Sequence, residues 1–166
     1  MEKQRILILD KERIAWKLQR MAYEVWEHNS NEENITFVGI QGSGLALAKS
    51  LAKKLEEISP LKVDVISIKL NKKQPLKDSI SIDQDLSKRS IVLVDDVANS
   101  GKTLLYALKP LLDFEVKKIM GAVLVDRKHK SYPVSPDIVG HSIATTLHEH
   151  IEVETSGDEI TAAYLQ

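Results

Sequence analysis

The chain has no cysteine, so it forms no disulfide and offers no thiolate as nucleophile or metal ligand. That absence fits a reducing compartment. No segment approaches the roughly 18 consecutive apolar residues that a membrane helix needs. The opening stretch, MEKQRILILDKER, holds four apolar residues in a row before charge returns. That run is too short for a signal peptide, so the expectation is a cytoplasmic protein with no membrane partner. Neither sign of charge is in excess. The 23 Lys and Arg against 24 Asp and Glu leave a net charge of -1, which gives no global bias toward nucleic acid or anionic lipid. Repeats and low-complexity linkers are missing too. With 43% hydrophobic and 28% charged residues over 166 positions, the composition is ordinary for a globular protein, and a single domain over residues 1–166 is the default.

What is present centres on Ile91 to Leu105, IVLVDDVANSGKTLL. Four aliphatic residues run directly into Asp95 and Asp96, and a small-residue loop with Ser100, Gly101 and Thr103 follows before a helix-like apolar run. The aliphatics read as a strand buried on both faces, as a parallel sheet requires. Ligands of open α/β sheets sit at the carboxyl ends of the strands, and a helix N-terminus favours an anion. Two carboxylates beside an anion cradle fit a ligand with hydroxyls at one end and a phosphate at the other, such as a sugar phosphate. Gly101-Lys102-Thr103 is not a nucleoside-triphosphate P-loop. That motif needs a glycine five residues before Gly101, and Asp96 stands there.

Along the rest of the chain, Ile6–Leu9 reads as a short strand, with Asp10 placed to cap the next helix and Leu9 and Ile14 to staple it. Ile14, Leu18, Met21, Ala22 and Val25 form one apolar stripe at helical spacing. Trp16, Tyr23 and Trp26 lie partly off it, which suits either peripheral packing or a subunit interface. Ile35–Ile40 reads as a strand, followed by the loop Gln41-Gly42-Ser43-Gly44 and a helix with Leu47, Leu51, Leu55 and Ile58 on one face. Lys62–Leu70 alternates as a strand. Residues 71–89 form a polar, lysine-bearing and flexible excursion, with a short strand at Ile80–Ile82. A helix from Thr103 is kinked or ended near Pro110. Lys118–Val125, Ile138–Gly140, Ile151–Thr155 and Glu159–Tyr164 complete the strands. Alternation over residues 35–125 predicts an α/β fold with a mostly parallel central sheet flanked by helices. His148 and His150 share a side if their segment is a strand, but no third metal ligand is placed.

The Gln41–Gly44 loop resembles a dinucleotide fingerprint, but Leu47 stands at the third glycine position. Its glycines also suit close approach of backbone amides to a diphosphate.

The run over residues 91–105 resembles the phosphoribosyl-diphosphate (PRPP) signature of type I phosphoribosyltransferases. Residues 7–29, 38–55 and VLVDRKHKSYPVSPDIVGHSIATT at 123–146 are similar to the PyrR family, bacterial pyrimidine-operon regulators with uracil phosphoribosyltransferase activity. The closer match rests on Asp126-Arg127, His129, Pro133, Pro136-Asp137 and Gly140. This resemblance implies the type I phosphoribosyltransferase fold with a small hood or lid region. It implies uracil and PRPP as substrates, UMP and diphosphate as products, and Mg²⁺ as cofactor.

By the same resemblance, Asp95 and Asp96 hold the ribose hydroxyls, and with Arg127 they form the catalytic set. Val97, Ala98, Asn99, Ser100, Gly101, Lys102 and Thr103 meet the 5′-phosphate. Gln41, Gly42, Ser43 and Gly44 meet the diphosphate, and Asp126 and Arg127 serve the metal and diphosphate side. Val139, Gly140, His141, Ser142 and Ile143 frame the base. Lys72, Lys73 and Lys77 suit a lid over the phosphates, or else a solvated loop. Ser43 and the lysine-only lid stand where the family pattern has arginine. The alternative is a UMP- or PRPP-sensing regulator that binds an mRNA leader with little turnover, or a transferase for another base. The RNA surface of such a regulator would draw on Gln19, Tyr23, Ser135 and His141, with Arg20, Lys128 and Lys130 as its cations. A homodimer, or a larger assembly built on one, is the expected state.

Overall fold

A computed structural model describes residues 4–166. Residues 1–3, the start of the stretch read for a leader sequence, lie outside the described residues. Five strands form one all-parallel sheet in the order β3-β2-β4-β5-β6: β3 is Lys62–Ile68, β2 Asn34–Ile40, β4 Ser90–Ala98, β5 Lys118–Arg127 and β6 Ile138–Ile143. A second, antiparallel sheet runs β1-β8-β7, from Ile6–Leu9, Glu159–Leu165 and Ile151–Ser156.

Helix α1, Lys11–His28, starts where the sequence places it, with Asp10 Oδ1 accepting the Arg13 N–H at 2.8 Å. Ile14, Leu18, Met21, Ala22 and Val25 are all buried. They pack with α2, Ser43–Ile58, over one face of the parallel sheet, on Ile35, Phe37, Val92, Val94 and Leu124. Helix α3, Lys102–Leu111, covers the other face with Leu104, Ala107 and Leu111 against Val38, Ile91, Leu93 and Val123. Each such aliphatic side chain taken out of water contributes about 1.5–3 kcal/mol.

Several boundaries differ from the sequence reading. Strand β4 does not stop at Val94. Its ladder with β5 runs on to Ala98 opposite Asp126, so both aspartates lie within the strand. Ser43 and Gly44 belong to the first turn of α2, which reduces the loop before it to Gln41 and Gly42. Pro110 sits in the last turn of α3. No strand forms at Ile80–Ile82; these residues pack instead on the α3-side core near the fully buried Leu86. The segment carrying His148 and His150 is irregular, which removes the premise for a shared strand face, and no group of three metal-binding side chains exists among the described residues. Trp16 and Tyr23 are exposed, whereas Trp26 packs on the core. No helix among the described residues is long and apolar enough to cross a membrane.

Candidate functional site

All five parallel strands bring their carboxyl ends to one edge. Strands β2 and β4 are neighbours, yet the helices that follow them lie on opposite faces. The sheet therefore opens a crevice between them, where an α/β fold receives its ligand. Strand β2 pairs with β4 only as far as Gly39 opposite Val94. Beyond that point Asp95 and Asp96 face the start of α2 across an open edge.

Asp95 is 1% exposed. Lys72 Nζ reaches its two carboxylate oxygens at 3.1 and 3.3 Å, and Asp96 Oδ1 at 3.6 Å. Lys72 is aimed inward by a turn in which Asn71 Oδ1 accepts the N–H groups of Lys73 and Gln74. Burial, reinforced by the neighbouring Asp96, pushes the Asp95 carboxyl up to about 7, against the pull of Lys72. Burial also works against the Lys72 ammonium, but the two carboxylates hold its pKa above the usual lysine value. Gly44 backs onto this cluster. A Cβ there would lie 3.1 Å from Asp95 Oδ1 and from the Val94 carbonyl, so any side chain would press on the carboxylate.

Two helix starts point into the crevice without a side-chain cap. The N-cap of α2 is Gly42 and that of α3 is Gly101. Uncapped first-turn amides carry the positive end of the helix dipole and accept an anion. Ahead of α3, Asn99 to Gly101 form the loop. Ser100 Oγ accepts the Lys102 N–H at 3.3 Å, while the Ser100 and Gly101 amides have no partner among the described residues. Val97 and Ala98, read as part of this loop, are buried strand residues, and Thr103 is the second residue of α3.

On the next strand, the Arg127 guanidinium spans this loop and the segment that follows β6. It donates to Thr145 Oγ1 at 2.6 Å, to the Thr146 carbonyl at 2.9 Å and to Asn99 Oδ1 at 3.2 Å. The Asp126 carboxylate is paired with Lys130. The stretch Val139–Ile143 is divided. Ser142 and Ile143 lie opposite Asp126 and Arg127, at the same edge as the aspartates. Val139 and Gly140 sit lower, and their carbonyls accept Arg20. His141 borders α1 beside Arg13, Lys17 and Arg20. Burial, with Lys17 and Arg13 adding to it, lowers its pKa. Of the three cations assigned to an RNA surface, Arg20 and Lys130 are engaged with internal partners, and Lys128 is exposed.

A cavity of about 640 Å³ between α1, α2 and the β7–β8 turn is lined by none of these groups. Lys49–Asp158 and Lys11–Glu159 ion pairs close its rim. Sequence reasoning missed the Lys72–Asp95 pair, the support Arg127 takes from Thr145, and the contacts of Lys130. Lys72 was visible as a lid candidate, but nothing in its spacing placed it on Asp95. Lys130, four residues after an aspartate in an irregular segment, carried no signal.

The profile of the "Phosphoribosyl transferase domain" matches residues 7–159. "Bifunctional protein PyrR" of Limosilactobacillus fermentum is 36% identical over 161 residues, covering 89% of this chain and 90% of that protein. The protein of the same name from Deinococcus radiodurans is 35% identical over 170 residues, covering 95% and 93%. Among solved structures, the hypoxanthine phosphoribosyltransferase of Trypanosoma cruzi superposes with a TM-score of 0.76 over 95% of each chain at 13% identity. At that identity the likeness concerns the fold.

Proposed function

The chain belongs to the phosphoribosyltransferases, and among them to the PyrR proteins, and on that premise we propose that it transfers the phosphoribosyl group of PRPP to uracil, releasing diphosphate and forming UMP. The observation that carries this reading is the juxtaposition at one sheet edge of the Asp95–Asp96 pair, the uncapped start of α3 with its free amides, and the uncapped start of α2 against Asp95.

In this reading Asp95 and Asp96 accept hydrogen bonds from the ribose 2′ and 3′ hydroxyls, and the substrate displaces Lys72. The Ser100 and Gly101 amides, with the Ser100 and Thr103 hydroxyls and the first turn of α3, hold the 5′-phosphate. Gly42 and Gly44 let the diphosphate approach the start of α2 closely, with Ser43 between them. The bond from C1′ to the diphosphate oxygen breaks as a uracil ring nitrogen bonds to C1′, and the base proton leaves with solvent. The two carboxylates sit beside a ribose that gains positive charge as the leaving group departs. Rate enhancement comes from positioning and fixed charge, with no protein nucleophile.

The donor set suits Mg²⁺, a hard cation that prefers carboxylate, phosphate and water oxygens. Asp95 and Asp96 are the side chains that would hold it beside the ribose, whereas the Asp126 carboxylate, the other candidate, is engaged by Lys130. Bound with PRPP, it would supply positive charge against the departing diphosphate. Ser142 and Ile143, which sit at the edge, frame the base in preference to Val139, Gly140 and His141. A homodimer is the assembly we assign by kinship with PyrR proteins. RNA binding finds less support here, because internal partners engage two of its three expected cations.

The test is incubation of the protein with PRPP, Mg²⁺ and each common nucleobase in turn, following diphosphate release. Release with uracil alone is expected. Release with a purine alone overturns the base assignment, and no release with any base overturns the enzyme reading.

A further inference from the structure

The loop Asn99–Gly101 owes its shape to contacts on its back. Lys130 Nζ donates to the Asn99 carbonyl at 3.1 Å, to the Arg127 carbonyl at 2.5 Å and to the Asp126 carboxylate. Three donors thus meet three acceptors around an ammonium whose side chain is 18% exposed. One residue further, the Ser131 and Tyr132 N–H groups both donate to the Ser100 carbonyl, at 3.0 and 3.1 Å. Gly101 then turns with φ +86°, and a Cβ there would come within 2.7 Å of the Val134 carbonyl. Loop and support are in contact along their whole length.

A trans peptide points its C=O and the following N–H in opposite directions, and the described residues contain no cis bond. Drawing the Asn99 and Ser100 carbonyls backward therefore turns the Ser100 and Gly101 amides forward. Those are the two amides left without a partner ahead of α3. Backbone donors aimed at an anion before it arrives need no reorganisation when it binds.

We propose that Lys130 is a positioning residue: by holding the Asn99 carbonyl it orients the Ser100 amide and presets the loop for a phosphate monoester. Asp126 and the Arg127 carbonyl complete its coordination and hold it in place. The compact ammonium suits this task, since one point donates in three directions. The inference rests on reading this loop as the 5′-phosphate site, and it assigns the loop's support to a residue that never touches the ligand.

The test uses the full chain and two variants. Lys130→Met keeps the stem and loses the donors; Lys130→Arg keeps the charge beside Asp126. UMP affinity is expected to fall about tenfold or more in Lys130→Met, while affinity for magnesium diphosphate, held at the start of α2, stays within about twofold. Lys130→Arg is expected to recover part of the UMP affinity, which a general packing defect would not explain. Amide resonances in the ligand-free protein give an independent readout. Those of Ser100 and Gly101 should move in Lys130→Met, and those of Gly42 and Gly44 should not. The proposal is overturned by unchanged UMP affinity, by equal loss of both ligands, or by unmoved Ser100 and Gly101 resonances. If Lys130→Met does not fold, Lys130→Gln, too short to reach all three acceptors, takes its place, and unmoved Ser100 and Gly101 resonances in it overturn the proposal. If the natural protein binds neither UMP nor PRPP, the functional reading fails. The ligand-free resonances, and their response to inorganic phosphate, then still decide the role of Lys130.

Discussion

The two ends of the parallel sheet treat their polar groups in opposite ways. At the amino end the buried ones, Asn29, Thr36 and Ser90, are bound to fixed neighbours. Asn29, buried, donates to the Val25 carbonyl at 2.7 Å and accepts the Ser90 hydroxyl at 2.6 Å. Arg89 links Thr36 to Asp64, and Lys118 donates to the His28 carbonyl. At the carboxyl end, Asp95 is held by a lysine on an irregular segment, and the amides of the Ser100–Gly101 turn have no partner among the described residues. Helix starts divide in the same way: α1 is capped by Asp10, whereas α2 and α3 are capped by glycines that offer no side chain. A buried polar group without a partner costs stability. One end of the sheet avoids that cost, and the other keeps its groups available for a ligand.

The contrast is broken most directly by removing the carboxylates. Asp95→Asn with Asp96→Asn should weaken PRPP binding by about 100-fold or more in calorimetry, from about 1.5–3 kcal/mol for each charged hydrogen bond. The melting temperature should not fall, because burial already disfavours the Asp95 charge. A variant that binds PRPP normally would place the ribose elsewhere. At the other end the balance reverses. Asn29→Ala leaves the Ser90 hydroxyl unpartnered and should cost about 1–3 kcal/mol in denaturant unfolding, with the KM for PRPP unchanged.

Asp10→Ala sharpens the comparison of helix starts. It removes the cap of α1 and should cost about 1 kcal/mol of stability without altering turnover. The smallest effect is on pH dependence. The folded protein keeps the Asp95 proton to about pH 7, whereas the ordinary aspartate value is 3.8. Between those values the folded state binds the extra proton, so this group favours folding below about pH 4 and loses that contribution as pH rises through 7. Ionisation also makes the carboxyl a full acceptor. PRPP affinity should therefore rise a few-fold between about pH 6 and 8 with a midpoint near 7. In Lys72→Met the midpoint should move upward, because the ammonium that opposes the shift is gone. A flat profile would separate Asp95 from ligand binding.

The amino end and the core were legible in the sequence because their signals are periodic. The five apolar positions of α1 predicted from spacing are its five buried hydrophobic residues, and a mostly parallel sheet follows from the alternation of strands and helices over residues 35–125. At the carboxyl end, residue types were legible but distances were not. Asp95 and Asp96 stood out as a pair, yet the continuation of β4 through them depends on how far β5 runs beside it. Lys72 lies 23 positions before Asp95, and Lys130 meets Asn99 across 31. Such contacts depend on the paths of irregular segments, which carry no period. Ile80 and Ile82 misled for the opposite reason: alternation suggested a strand, but no neighbouring strand pairs with them and the core takes their side chains instead.

The antiparallel sheet has a consequence for biosynthesis. Its order is β1-β8-β7, with Ile6 opposite Leu165. Among the described residues β1 pairs with β8, which a ribosome delivers long after it. The strands of the parallel sheet end at Ile143, and Ile160 and Ala163 of β8 later join the core over one of its faces. The strands of the parallel sheet can pair before β8 is made, whereas β1 cannot, so the sequence separation of this pair places closure of the small sheet after assembly of the central one.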